Sequence, residues 1–144
     1  MLIDFGRAKD LKILTNGSKI KQMDGRVATE GLECIAMRQG KGWSVDIDTF
    51  GLCVCAHTLL FGSYMDVVQK EGKWKLKKPL RRYWQTPLWR LFFECFINET
   101  SPDLQEYGAR LKGIKIAFGT HVERRSRELK QLLLHQNSEL PQRK

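Results

Sequence analysis

Asp48-Thr49-Phe50-Gly51-Leu52-Cys53-Val54-Cys55-Ala56-His57-Thr58-Leu59-Leu60-Phe61-Gly62 contains the longest apolar run of the sequence, and its reading decides the fold. Asp46 or Asp48 opens the run as helix-starting acids do, and Gly62 closes it where a left-handed residue ends a helix. Between them Phe50, Leu52, Cys53, Val54, Cys55, Ala56, Leu59, Leu60 and Phe61 leave almost no polar stripe. Such a helix is expected to be buried on every side, as a post around which other helices pack. It falls short of the ~20 apolar residues that span a bilayer and carries His57, so no membrane partner is expected and the protein should be soluble.

The segments on either side have different rhythms. Ser63 to Gln85 reads as a connector with a hairpin turning at Glu71-Gly72. Thr86 reads as the cap of a second helix, with Pro87 in its first turn and Leu88, Leu91, Phe92, Cys95 and Phe96 making one stripe. Ser101-Pro102 repeats that signal ahead of Leu104, Tyr107, Leu111, Ile114 and Phe118, and Val122, Leu129, Leu132 and Leu133 continue or follow the pattern. Asn137 to Lys144 is polar and is expected to be disordered. Upstream, Leu2 to Phe5 reads as a strand, and Arg7 to Trp43 as mostly loop, broken by Gly17, Gly25, Gly31, Gly40 and Gly42. In 144 residues there is room for one domain or less. A 42% hydrophobic share supplies a core, while a net charge of +9 favours acidic partners.

The strand Leu2-Ile3 runs into Asp4-Phe5-Gly6. A strand leading directly into this triplet is how protein kinases present a magnesium-binding carboxylate to the phosphates of ATP. The downstream order fits too: a polar segment, a buried helix, then outer helices. The run Leu2 to Lys12 resembles the start of the activation segment in Bub-type mitotic checkpoint serine/threonine kinases. Gly31-Leu32-Glu33-Cys34-Ile35-Ala36-Met37, Lys41-Gly42-Trp43, Ile47 to Leu52, Leu60 to Met65 and Lys75 to Trp84 resemble that family in the same order. The likeness covers residues 2 to 98 and fades in the C-terminal helices.

The resemblance implies a mainly α architecture, a partial kinase C-lobe without N-lobe or catalytic loop. Residues 1–43 would be the activation segment, 46–136 the helical part, and 137–144 a tail. It implies ATP and magnesium as cofactors, with Asp4 the metal ligand, Phe5 packed beneath it and Gly6 permitting the turn. It further implies checkpoint and kinetochore proteins and a histone as partners, and a place in the nucleus, at the chromosome or kinetochore, and in the cytoplasm. Asp48 fits the buried aspartate that anchors the central helix; its other reading is an ordinary N-cap. Ala36 departs from the family, which carries a glutamate there to fix the substrate-docking loop. Thr15, Ser18 and Thr29 are hydroxyls in the presumed activation segment.

Phosphoryl transfer depends on positioning and charge neutralisation, so its parts work only as a set. Gly40-Lys41-Gly42 lacks a third glycine and lies after Asp4 instead of before it. None of His57, His121 or His135 begins a His-Arg-Asp triplet, and no Val-Ala-Ile-Lys strand occurs. The chain by itself is expected to be catalytically incomplete, a partial or truncated product. Its central helix would lack its cover on one side, so that the isolated chain would aggregate, stay molten or need a partner.

Lys73, Lys75, Lys77, Lys78, Arg81 and Arg82, interleaved with Trp74, Tyr83 and Trp84, make the densest basic patch. Cations with interleaved aromatics suit phosphate contact with stacking, which gives the alternative function: a non-catalytic module that binds chromatin or nucleic acid. The other reading is a solvated loop whose lysine stems lie along the core. Cys34, Cys53, Cys55 and Cys95 include no Cys-x-x-Cys pair and read as reduced thiols. His57 reads as a hydrogen-bonded core residue.

Overall fold

The computed structural model describes residues 10–17, 19–26, 31–98 and 103–139. Its elements in chain order are α1 (Leu11–Leu14), β1 (Thr15–Asn16), β2 (Lys19–Ile20), α2 (Ile35–Arg38), α3 (Asp46–Phe61), β3 (Val67–Lys70), β4 (Lys73–Leu76), α4 (Thr86–Ile97), α5 (Leu104–Arg124) and α6 (Ser126–Glu139). Strands β1 and β2 pair antiparallel, as do β3 and β4, so the fold is mainly α with two small ribbons. The chain divides into two compact units, residues 1–110 and 111–144. The presumed strand Leu2–Phe5 lies outside the described residues.

Helix α3 ends where the sequence says it should. Gly62 adopts φ 67°, a left-handed conformation that costs glycine little, and its N–H donates to the Thr58 carbonyl at 2.8 Å. The start lies at Asp46, with Val45 as the capping residue, so Asp48 is two residues inside the helix and exposed. The expected cap role of Asp48 is thereby corrected.

All-round burial is corrected as well. Phe50 and Cys53 are 1% and 0% exposed, and Val54 and His57 are buried beside them. Leu52 and Leu59 are 47% and 88% exposed, and Cys55 is exposed on the same open side. A helix that is greasy all round carries no moment to say which face will be covered; only the neighbours decide. Here the covered side meets α4, which contributes Phe92, Phe93, Phe96 and Ile97 to the core. The rings interlock edge to face: Phe92 with Phe96 at 5.0 Å, Phe61 with Trp84 at 4.8 Å, and His57 with Phe93 at 6.5 Å between centroids. Each such large apolar side chain taken out of water is worth roughly 1.5–3 kcal/mol.

The expected hairpin is present. Glu71 and Gly72 both take positive φ, 53° and 76°, which matches the twist of a two-residue turn between β3 and β4. Trp74 and Asn98 hold this ribbon to the end of α4. The Asn98 side-chain oxygen accepts from the Trp74 N–H at 2.8 Å, and its amide nitrogen donates to the Trp74 carbonyl at 2.9 Å. A side-chain amide thus satisfies both polar groups of one strand residue, as a neighbouring strand would.

Three further boundaries differ from expectation. Thr86 is inside α4, capped by Gln85, and its hydroxyl donates to the Trp84 carbonyl at 2.9 Å. Asp103 opens α5, accepting from the N–H groups of Gln105 at 2.8 Å and Glu106 at 3.3 Å, while Ser101-Pro102 lies outside the described residues. Helix α6 continues to Glu139, into the stretch read as an unstructured tail. No helix among the described residues is long and apolar enough to cross a membrane.

Candidate functional site

Asp4, Phe5 and Gly6 lie outside the described residues, as do Ser18 and Thr29. The part of the presumed activation segment that is described is more ordered than a loop reading implied. Asp10 caps α1, accepting from the Lys12 N–H at 2.9 Å. Thr15 and Asn16 pair with Ile20 and Lys19. Met23 and Trp43 exchange both backbone hydrogen bonds, at 2.8 and 3.0 Å, and the Trp43 indole donates to the Gly25 carbonyl at 2.8 Å. These contacts fasten the segment to the stretch that leads into α3.

The junction below α3 is built around Asp46, which is buried. One carboxylate oxygen accepts from the Ser44 N–H at 2.5 Å and the other from the Cys34 thiol at 3.1 Å. Asp46 therefore ties α2's entry to α3's first turn. Burial, and after it the hydrogen bond and charge of Asp46, push the Cys34 thiol up to about 12. The same two kinds of cause, desolvation first and then the Asp46 charge, raise the Asp48 carboxyl.

Ala36 is buried, and beside it opens a cavity of about 450 Å³ bordered by Gln22, Gln39, Lys41 and Asp46. Glu33 does not reach toward it as a replacement carboxylate. It pairs with Arg26 at 3.3 Å, and its carbonyl accepts from the Arg38 side chain at 2.9 Å. Arg38 in turn lies 5.2 Å from the Phe50 ring centre, a cation over an aromatic face.

The basic patch is spread over β4 and the connector after it, and four of its six cations have partners within the chain. Lys75 pairs with Glu71 at 3.3 Å and Lys77 with Asp66 at 2.7 Å. That hydrogen bond lowers the Asp66 carboxyl and raises the Lys77 ammonium. Lys78 stands 5.0 Å over the Phe61 ring. Arg81 lies over Trp84 at 5.3 Å and donates to the Tyr83 hydroxyl at 2.6 Å. Lys73 and Arg82 are exposed. Trp74 and Trp84 are half-buried, so only Tyr83 of the three interleaved aromatics is open to stacking.

His57 is buried, stacked on Phe61 at 4.3 Å, with Nδ1 2.9 Å from the Ser63 carbonyl. Its Nε2 has no hydrogen-bond partner among the described residues. Desolvation is the main cause that lowers its pKa, with nearby Lys78 adding to it against the Ser63 bond. None of the four cysteines is in a disulfide: Cys34 and Cys53 are buried, Cys95 is half-buried and Cys55 is exposed. Among the described residues no group of three or more His, Cys, Asp or Glu is placed to hold a metal ion.

The chain is 38% identical over 98 residues to the spindle assembly checkpoint serine/threonine-protein kinase BUB1 of Saccharomyces cerevisiae, covering 67% of this chain and 9% of that protein. It is 32% identical over 108 residues to the mitotic checkpoint serine/threonine-protein kinase BUB1 of Arabidopsis thaliana, covering 71% and 20%. The chain thus spans between about a tenth and a fifth of the length of these curated relatives. Among solved structures, the BubR1 kinase domain superposes with a TM-score of 0.59 at 28% identity, over 76% of this chain and 33% of that one. No protein-family model matches the chain.

Proposed function

From a chain that carries part of a Bub-type mitotic checkpoint kinase domain, we propose a role as the helical base of such a kinase, structural on its own and catalytic only with the missing parts. The observation that supports it most is the Asp46 junction, a buried carboxylate joining the activation-segment side to the central helix. Catalysis needs a glycine-rich loop, a phosphate-anchoring lysine and a His-Arg-Asp loop, and the sequence contains none of them. ATP and magnesium are therefore proposed as cofactors of a complete domain, with Asp4 contributing the metal-binding carboxylate there. Checkpoint and kinetochore proteins are the proposed partners, a histone the proposed substrate, and the nucleus and kinetochore the proposed location.

The open side of α3 gives this reading a physical handle. Leu52, Cys55 and Leu59 present apolar surface that a kinase domain would cover with its catalytic-loop side. Co-expression with the segment of the yeast relative's kinase domain that precedes the Asp-Phe-Gly triplet should yield a complex in which Cys55 is protected from thiol labelling. A monomer with sharp cooperative unfolding and no affinity for that segment would overturn the proposal, as would phosphorylation of a histone peptide by the 144-residue chain alone. Chromatin or nucleic-acid binding draws less support, because Lys75 and Lys77 are paired with Glu71 and Asp66, Arg81 bonds Tyr83, and of the interleaved aromatics only Tyr83 is exposed.

A further inference from the structure

The ribbon β3–β4, the connector after it and α4 enclose a cavity of about 210 Å³. Its floor is apolar: Leu76 and Leu80 from the connector side, Phe93 and Ile97 from α4. Its rim carries Lys75, Lys78 and Arg90 against the single carboxylate of Glu94. Lys75 is partly neutralised by Glu71, and Lys78 rests over Phe61, which leaves its charge uncompensated. Arg90 makes no hydrogen bond or ion pair among the described residues, although it is exposed one helical turn from Thr86 and Glu94. The walls are held in place from both sides. Asn98 clamps the ribbon to the end of α4, and Lys77 staples the connector to Asp66 at 2.7 Å.

We propose that this cavity is a docking site for a short acidic peptide segment of a partner protein, which inserts one aliphatic or aromatic side chain between Leu80 and Ile97 and sets flanking carboxylates on Arg90 and Lys78. The volume accepts a side chain and excludes a helix. An apolar socket with cations at its rim matches an apolar anchor flanked by acids, the arrangement in which burial supplies affinity and charge supplies orientation. Nucleic acid fits less well, because the floor is aliphatic or buried and offers no exposed ring for a base to stack on. The site is independent of the magnesium triplet and of whether the chain transfers phosphate.

The test uses the full 144-residue chain and a fluorescein-labelled nonapeptide with one leucine between two runs of glutamate, read by fluorescence anisotropy. Saturable one-to-one binding is expected, weakened at least about tenfold by Arg90→Glu and by Lys78→Glu, since each sets a like charge opposite the peptide's carboxylates. Lys112→Glu, elsewhere on the chain, should change it less than about twofold. A control peptide with serine for leucine should also bind at least about tenfold more weakly. Independently of whether the variants fold, the wild-type chain with photo-leucine in the peptide should crosslink to residues 76–80 or 93–97. Absence of saturable binding, equal affinity for the serine peptide, crosslinks elsewhere, or full displacement by single-stranded DNA at equal concentration would each overturn the proposal.

Discussion

Replacing Asn98 tests how the ribbon is held. Its side chain makes two hydrogen bonds to one residue, accepting from the Trp74 N–H at 2.8 Å and donating to the Trp74 carbonyl at 2.9 Å. Both are neutral bonds in a half-buried setting, each contributing about 0.5–1.5 kcal/mol net. Asn98→Ala removes both, along with the bond from the same amide to the Glu94 carbonyl at 2.9 Å within α4; the two bonds to Trp74 alone should let the ribbon open more easily by about 1–3 kcal/mol, roughly a 5- to 150-fold change in the opening equilibrium. Hydrogen exchange resolves this by residue. The informative amides are those bonding β3 to β4, because the substitution leaves their own partners intact. They should exchange faster by that factor, while α3 amides near Phe50 and Cys53 change little, lying on a separately packed element. Asn98→Asp keeps an acceptor for the Trp74 N–H and removes the donor. The Trp74 amide should therefore stay more protected in that variant than in Asn98→Ala. Unchanged exchange across the ribbon in Asn98→Ala would refute the reasoning, and would mean that apolar contact alone docks it.

Three more outcomes follow from the core. Asp46→Ala leaves the buried Ser44 N–H without an acceptor and should cost about 2–3 kcal/mol of local stability, while Asp48→Ala, at an exposed site, should stay within about 0.5 kcal/mol; hydrogen exchange of the first α3 turn separates them. His57 is held below its ordinary pKa of 6.5, so the unfolded chain binds the proton more readily than the folded one. Its contribution is fully present above about pH 6.5 and is lost as the pH falls toward the folded pKa, so α3 opening should grow from pH 7.5 to 5.5 more in the wild type than in His57→Gln. A thiol reagent at neutral pH should label Cys55 first, and Cys34 and Cys53 only on unfolding, because burial shields both and raises both pKa values; equal labelling rates at all four would contradict the packing of α3.

Much of the fold could be read from local rules. Gly62 ends α3, Glu71-Gly72 turns the ribbon, and Pro87 sits in the first turn of α4, because each depends on backbone preferences that a few neighbouring residues express. The short pieces α1, β1, β2 and α2 escaped notice because two to four residues carry no usable period. The family likeness was legible in ordered motifs, yet the triplet that suggested it lies outside the described residues.

The sequence by itself determined that the long segments around Phe50, Phe92 and Ile114 are helical, and that Gly62 ends the first and Glu71-Gly72 turns the ribbon. Only the tertiary structure decided which side of α3 is covered, that Asp46 bonds Cys34 and Ser44 beneath it, and that Asn98 closes the ribbon against α4. The physical reason is range. Turn and helix-end preferences act over three or four residues, whereas burial and pairing depend on partners far off in the sequence, as Trp74 and Asn98, His57 and Phe93, and Lys19 and Asp103 are.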